Sequence, residues 1–337
     1  MKDILKVGVV GMGVGEKHAI AYQNHPNTIL KSICDFDSAK VKSLKVSYPE
    51  INIGTDPNLI LEDPELDIVS IASYDDFHLP QILKALENGK HIMSEKPLCL
   101  NYDEMLQIYK AQQNYTDLKL SSNLVLRTNS RFRKFRKEND EGKLGEVYFI
   151  EGDYFWGRKS KLYGWRANME FYSIILGAAI HMIDLVMWIV NDRPILVQCL
   201  GNNIVTKNSP MKYNSFAVLL LKFKDGLIVK ITGNGVCIHP HFHGLKIYGS
   251  KKTAIHNLTD AYYLDSSKEG SSSIPITEPY PEKGSREKVI HSFVDYILDD
   301  SLKPIVPQQH VYDVMSVCFA AEKAMDTGKS VIIEYLE

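Results

Sequence analysis

The chain has 337 residues, 45% hydrophobic and 24% charged, and 39 Lys and Arg against 41 Asp and Glu leave a formal net charge of -2. That length predicts two domains, the composition excludes a disordered chain, and the charge balance excludes a dedicated nucleic-acid or anionic-membrane surface. The five cysteines, Cys34, Cys99, Cys199, Cys237 and Cys318, are spread out and never form a C-x-x-C pair, which argues against a disulfide framework or zinc knuckle and fits a reducing cytoplasm.

The N-terminal apolar run is brief and leads into a glycine turn, so a strand explains it better than a signal peptide. No stretch approaches the roughly 20 apolar residues needed to cross a bilayer. Strand and helix patterns then alternate: LKVGVVG, a strand; HAIAYQNHP, a helix stopped by Pro26; TILKSICD, a strand; DSAKVKSLKVSYP, a helix ended by Pro49. The rhythm continues through the strand DIVSIAS, the helix HLPQILKALENG, the strand KHIMSEK, the helix YDEMLQIYKAQQ and the strand LKLSSNLV. This order predicts a Rossmann-type doubly wound parallel sheet over residues 1–124.

Residues 125–337 read differently. The basic run from Arg127 to Lys137 is followed by Glu138, Asp140 and Glu141, which suits a solvated helix face. EVYFIEGDYFWG, ILVQCLGNNIV, FAVLLLKFKDGLIVKITGNG and LKIYGSKKTAIHN read as strands, with Lys224-Asp225-Gly226 as a hairpin turn. An apolar helix from about Ser173 to Val190 interrupts them, and Ser266 to Gly284 reads as a surface loop. Two helices and a final strand, SVIIEY, close an α+β domain with a large open, mainly antiparallel sheet.

The turn GMGVGEKH carries the first functional signal. Its third glycine comes one residue earlier than in G-x-G-x-x-G, yet it follows a strand and opens a helix in the first β-α-β unit. Gly11 makes the bend, Gly13 admits a pyrophosphate, and Gly15 takes the close helix-strand contact, with Met12 and Val14 between them and Glu16 pointing outward. Asp35 supplies the acid about 20 residues on that holds the adenosine ribose, ahead of Asp37. Asp35 repels a 2'-phosphate, so NAD is favoured over NADP, although Lys40 and Lys42 are near.

The segments Gly89-Lys90-His91 and Glu95-Lys96-Pro97, the glycine turn followed by His18, the Asn123 strand and the stretch Gly177 to Trp188 resemble the glucose-fructose oxidoreductase / inositol dehydrogenase family, known also by its rhizopine-catabolism member. The resemblance covers nearly the whole chain. It implies that Lys96 reaches the substrate hydroxyl beside the nicotinamide and that His181 and Asp184 face it across an interdomain cleft. A histidine suits proton removal, a lysine cation can hold the oxygen, and Asp184, three residues on, shares a helix face with His181 and can orient its ring. By the same resemblance Ser73, Tyr74 and His78 join the cofactor site. Glu95 either joins it too or holds Lys96 and the turn.

Two departures stand out. Gly177 and Ala179 occupy positions where the family often has Asp-x-Gly, and Ser73-Tyr74-Asp75-Asp76 replaces the usual Thr-Pro-Asn. Asn123, Tyr154, Arg158, Trp165 and Arg166 are further substrate-side candidates, since aromatic rings with flanking cations suit a sugar, with or without a phosphate or carboxylate. His239-Pro-His241-Phe-His243 looks like a metal clamp, but Pro240 disrupts the strand and no acidic or thiol partner adjoins it, so no metal is expected. The reading is an NAD(H)-dependent oxidoreductase acting on a hydroxyl of a sugar, cyclitol or sugar derivative, expected to form a homodimer or homotetramer. A nucleotide-sugar or keto-sugar reductase of surface-polysaccharide biosynthesis and a non-catalytic NAD(H)-binding sensor are the alternatives.

Overall fold

The computed structural model describes residues 3–337. The chain divides into two compact units. In the first, strands β1 (Leu5–Val10), β2 (Thr28–Cys34), β3 (Asn52–Gly54), β4 (Ile68–Ile71), β5 (His91–Ser94) and β6 (Leu120–Ser122) form one sheet in the order β3-β2-β1-β4-β5-β6. All its pairings are parallel. Helices α1 (Gly15–Asn24), α2 (Ser38–Ser47), α3 (Asn58–Leu61), α4 (His78–Glu87) and α5 (Tyr102–Gln113) make the crossovers. With helices on both faces, the strands are nearly all apolar, and Val7, Val9, Ile33, Ile68, Val69, Ile71, Ile92 and Met93 are fully buried. The strand order reverses between β1 and β4, the position at which such sheets bind ligands.

In the second unit, β7 (Val147–Phe155), β8 (Leu196–Asn202), β9 (Phe216–Lys222), β10 (Ile228–Asn234), β11 (Phe242–Gly249), β12 (Thr253–His256), β13 (Ala261–Leu264), β14 (Ile274–Pro275) and β15 (Val331–Ile332) form a nine-stranded sheet, ordered β14-β13-β12-β11-β7-β10-β9-β8-β15. It is antiparallel except where β7 and β10 run parallel. The helices α6 (Ser130–Asp140) and α7 (Ile180–Val190) belong to this unit, and a π-helical turn, Ile175–Ala179, precedes α7. Close approach of this segment to the sheet requires glycine: a Cβ at Gly233 would lie 3.1 Å from the Ala179 Cβ.

A single cut after residue 124, expected from the sequence, does not describe the chain. Gly284–Tyr312, which holds α8 (Glu287–Leu298) and the first residues of α9 (Gln308–Thr327), returns to the first unit. There His291 Nε2 lies 2.9 Å from the Ala21 carbonyl, His25 pairs with Asp295 at 3.1 Å, and Ser121 Oγ donates to the Val306 carbonyl at 2.8 Å. No helix among the described residues is long and apolar enough to cross a membrane.

Candidate functional site

The glycine turn joins β1 to α1 with each glycine in a distinct situation. Gly11 has φ +85°, and a Cβ there would stand 2.5 Å from the Ala72 carbonyl oxygen at the end of β4. Gly15 lies tight between helix and strand, its virtual Cβ 3.1 Å from both the Ala72 Cβ and Val9 Cγ1. At Gly13 a Cβ would meet nothing within 4 Å, so the backbone there faces open space that a bulky anion can approach. Glu16 is exposed in the first turn of α1. The shortened spacing therefore retains both the bend and the open approach.

Asp35 is 5% exposed and grips this turn. Its Oδ2 accepts the Met12 N–H at 2.8 Å and its Oδ1 the Asp37 N–H at 3.0 Å. A carboxylate has about four acceptor sites, so capacity for ribose hydroxyls remains. Asp37 is committed to capping α2 through the Ala39 and Lys40 amides. Lys40 donates to the Met12 carbonyl and stands 3.6 Å from Asp35, so a cation borders the acid. Phe36, not singled out by the sequence, is 69% exposed and packs at 5.3 Å against the half-buried Tyr74. Its signal was an apolar aromatic directly after Asp35.

Ser73 donates to Gln81 Oε1 at 2.7 Å. The His78 ring is fully buried, with Nδ1 2.7 Å from the Pro97 carbonyl and Nε2 3.4 Å from that of Ser73. It thus ties the turn after β4 to the Lys96-Pro97 turn after β5.

Glu95 lies at the centre of a buried network. Its Oε1 accepts from Asn123 Nδ2 at 2.6 Å and lies 3.0 Å from His18 Nε2, while His18 Nδ1 is 2.7 Å from Ser70 Oγ. Glu95 Oε2 accepts the backbone N–H of Lys96 at 3.2 Å. Burial pushes the carboxyl up, but the hydrogen bond and charge of His18, the Asn123 amide and the Lys96 charge outweigh it and hold the group at about 2. Through these contacts Glu95 is a fixed anion tied to the backbone N–H of Lys96. No local pattern around His18 marks this network, because its partners are 52 and 77 residues away.

In the second unit, α7 presents His181 half-exposed, with its ring stacked on Tyr154 of β7 at 5.6 Å and 9°. His241 and His243 lie edge-on to the same tyrosine at 5.3 and 4.9 Å. Among the described residues, no group of three or more His, Cys, Asp or Glu is arranged to hold a metal ion. Asp184 does not turn to His181. Its carboxylate receives Arg127 Nε at 3.1 and 3.2 Å and Nη2 at 2.5 Å, and both side chains are 1% exposed. The shared helix face was real, but a guanidinium offers a carboxylate several aligned donors, and the imidazole offers fewer. Burial raises the Asp184 carboxyl against the pull of the Arg127 charge and hydrogen bond. The basic run expected to be a solvated face therefore begins with a buried ion pair. The solvated reading fits its later part, where Arg136 pairs with Asp140 and Lys137 with Glu141.

Ser173 caps the turn leading to α7, its Oγ accepting the Ile175 and Leu176 N–H groups at 3.0 Å each and donating to Glu322. At Gly177 a Cβ would stand 2.4 Å from the Tyr172 hydroxyl. Arg166 is held between ring faces, its Cζ 4.2 Å from the Trp165 centroid and 5.1 Å from that of Trp156, whereas Arg158 is exposed.

A doubly wound sheet whose first turn leaves backbone open beside a buried acid at the end of the second strand is the form of a dinucleotide-binding domain. Residues 5–121 match the model of an oxidoreductase family with an NAD-binding Rossmann fold, and residues 132–255 match the GFO/IDH/MocA C-terminal domain. The chain belongs to the GFO/IDH/MocA oxidoreductase family. It is similar to the myo-inositol 2-dehydrogenase of Thermotoga maritima, 21% identical over 346 residues that span 98% of this chain and 99% of that one. The scyllo-inositol dehydrogenase of Lactobacillus casei, solved with NAD(H) and scyllo-inositol, has a TM-score of 0.81 at 20% identity, covering 98% of this chain and 99% of its own. Levoglucosan dehydrogenase in complex with NADH has a TM-score of 0.86 at 17% identity, covering 98% and 100%. At these identities the structural likeness carries the fold.

Proposed function

We propose that the protein is an NAD(H)-dependent oxidoreductase acting on a hydroxyl-bearing carbon of a sugar or cyclitol. The observation that carries this reading is Lys96, set at the carboxyl end of β5 beside the Glu95 anchor, in the same sheet whose glycine turn is open at Gly13. In such sheets ligands bind at the carboxyl ends of the strands. The nicotinamide, when bound, supplies the hydride acceptor. Gly11 to Gly15 would hold the pyrophosphate and Asp35 the adenosine ribose, with Ser73 and Tyr74 beside them. Lys96 holds the substrate oxygen and lowers the pKa of the hydroxyl, and His181 takes its proton. Asp184, bound to Arg127, steadies the helix that carries His181.

The reading is tested by titrating NADH fluorescence and screening sugars and cyclitols by absorbance of the reduced nicotinamide. Lys96→Ala and His181→Ala should each abolish turnover while NADH still binds, and the double variant should lose no more than either, because both act on one hydroxyl. Turnover surviving both substitutions would sink the assignment. Asp35 supports NAD over NADP, and equal affinity for the two would contradict its role.

We propose further that the outer face of the nine-stranded sheet mediates self-association to a dimer or tetramer. Leu200, Leu220 and Ile228 are 68%, 44% and 37% exposed there, and light scattering showing a monomer at micromolar concentration would refute this.

A further inference from the structure

One cluster of charge has no part in the chemistry above. After β7 the chain turns at Gly157, φ +60°, where a Cβ would strike the His239 carbonyl oxygen, so the following loop starts fixed against the residues before β11. That loop carries Arg158, Lys161 and Arg166. Arg166 is clamped between Trp165 and Trp156, and one of its five N–H donors goes to the Lys161 carbonyl at 3.4 Å. Lys161 is held below the usual lysine range by burial, then by the charges of Arg158 and Arg166; no carboxylate contributes. Like charges gathered on one short loop repel, and a bound anion relieves that repulsion.

The cluster is also near the helix histidine. Trp156 continues the sheet ladder, its N–H donating to the Asn234 carbonyl at 3.0 Å, and it is buried two residues beyond Tyr154, on the same face of the strand. His181 stacks on Tyr154 and Arg166 on Trp156, so imidazole and guanidinium rest on rings carried two residues apart in the chain. That arrangement suits a sugar with its reacting hydroxyl beside the imidazole and a charged substituent beside the guanidinium.

We propose that the substrate is anionic, a sugar or cyclitol bearing a carboxylate or a phosphate, and that Arg166, with Lys161 and Arg158, binds that group. This rests on the assignment of His181 to the reacting hydroxyl. Arg fits either anion through paired N–H donors.

Trp156 and Trp165 provide a readout independent of turnover. The full chain is titrated with glucuronate, with glucose 6-phosphate and with glucose, at constant ionic strength, while tryptophan fluorescence is followed. A saturable change with one or both anions but not with glucose is expected, and the responding anion distinguishes carboxylate from phosphate. Arg166→Gln, and separately the exposed pair Arg158→Ala/Lys161→Ala, should weaken that response about tenfold or more. The absence of any saturable response, or an equal response in both cation variants, overturns the proposal. So does neutral-sugar oxidation as efficient as that of the anionic counterparts. If the anion response and its loss persist while no substrate turns over, the binding site stands and the dehydrogenase reading is what fails.

Discussion

Arg127 and Asp184 form a buried, multiply hydrogen-bonded ion pair that joins the segment before α6 to the centre of α7. Removing one partner strands the other charge out of water, a change that costs about 3–5 kcal/mol, whereas replacing both with apolar groups of similar volume is often neutral. Arg127→Ala should therefore lower the urea midpoint sharply, and Arg127→Met/Asp184→Leu should recover most of the loss. Under the proposed reading the double variant also keeps substantial turnover, because Asp184 steadies the helix and relays no proton. A stable but inactive double variant would return Asp184 to the chemistry.

The three turn glycines should separate folding from cofactor binding. Gly13→Ala adds a methyl group in open space, so its unfolding free energy should stay within about 0.5 kcal/mol of the parent. Its NADH affinity should nonetheless fall, because that space is proposed for the pyrophosphate. Gly15→Ala presses on Ala72 and Val9 and should destabilise by about 1–3 kcal/mol. Fluorescence titration and urea unfolding of the two variants check both halves.

Ser173 and Glu322 predict a pH dependence on the alkaline side. Burial raises the Glu322 carboxyl to about 7, with Ser173 opposing and Asp326 reinforcing the rise. The folded chain therefore holds this proton more tightly than the unfolded one, so its stabilisation is complete below about pH 4.5 and is lost as pH rises through 7. The loss amounts to about 3 kcal/mol. Unfolding midpoints at pH 5 and pH 8 should differ accordingly, and Glu322→Gln should shrink the difference. Glu95 has the opposite sign: its carboxyl is held at about 2, so its contribution is present above pH 4.5 and disappears as pH falls through 2.

Gly177 is one helical turn before His181, and the Tyr172 hydroxyl occupies the place of its side chain. Gly177→Ala should cost about 1–3 kcal/mol and displace the tyrosine. Adding Tyr172→Phe removes the nearest clashing atom but leaves the ring Cζ 3.0 Å away, so it should recover part of the stability, which a double-mutant cycle measures directly.

Much of the first unit was legible because its strands are buried on both faces and therefore read as short apolar runs ended by glycine or proline. β3 and α3, of three and four residues, are too short for any period to register. β14 lies inside the Ser/Gly/Pro-rich stretch read as a loop, and both its residues are exposed, so no apolar signal marks it. The bend at Gly11 and the close contact at Gly15 followed from their spacing, since each is fixed by chain within a few residues or by the adjacent strand. Arg127 and Asp184 were misread for the converse reason: local charges pointed to solvent for one and to His181 for the other, while the actual partner is 57 residues away. Gly284–Tyr312 reads as the continuation of the second domain for the same reason, because its contacts with α1 and β6 are set by packing that no local pattern encodes.

Asp35 accepts the Met12 amide as well as facing the place proposed for the ribose. Under the proposed reading, one carboxylate both shapes the bend and sets the preference between the two nicotinamide coenzymes. A substitution there that admits the phosphorylated form also releases the loop from its tether, so coenzyme choice and loop rigidity are inherited together. On that reading, changing the preference of this chain calls for a second substitution that re-anchors residue 12.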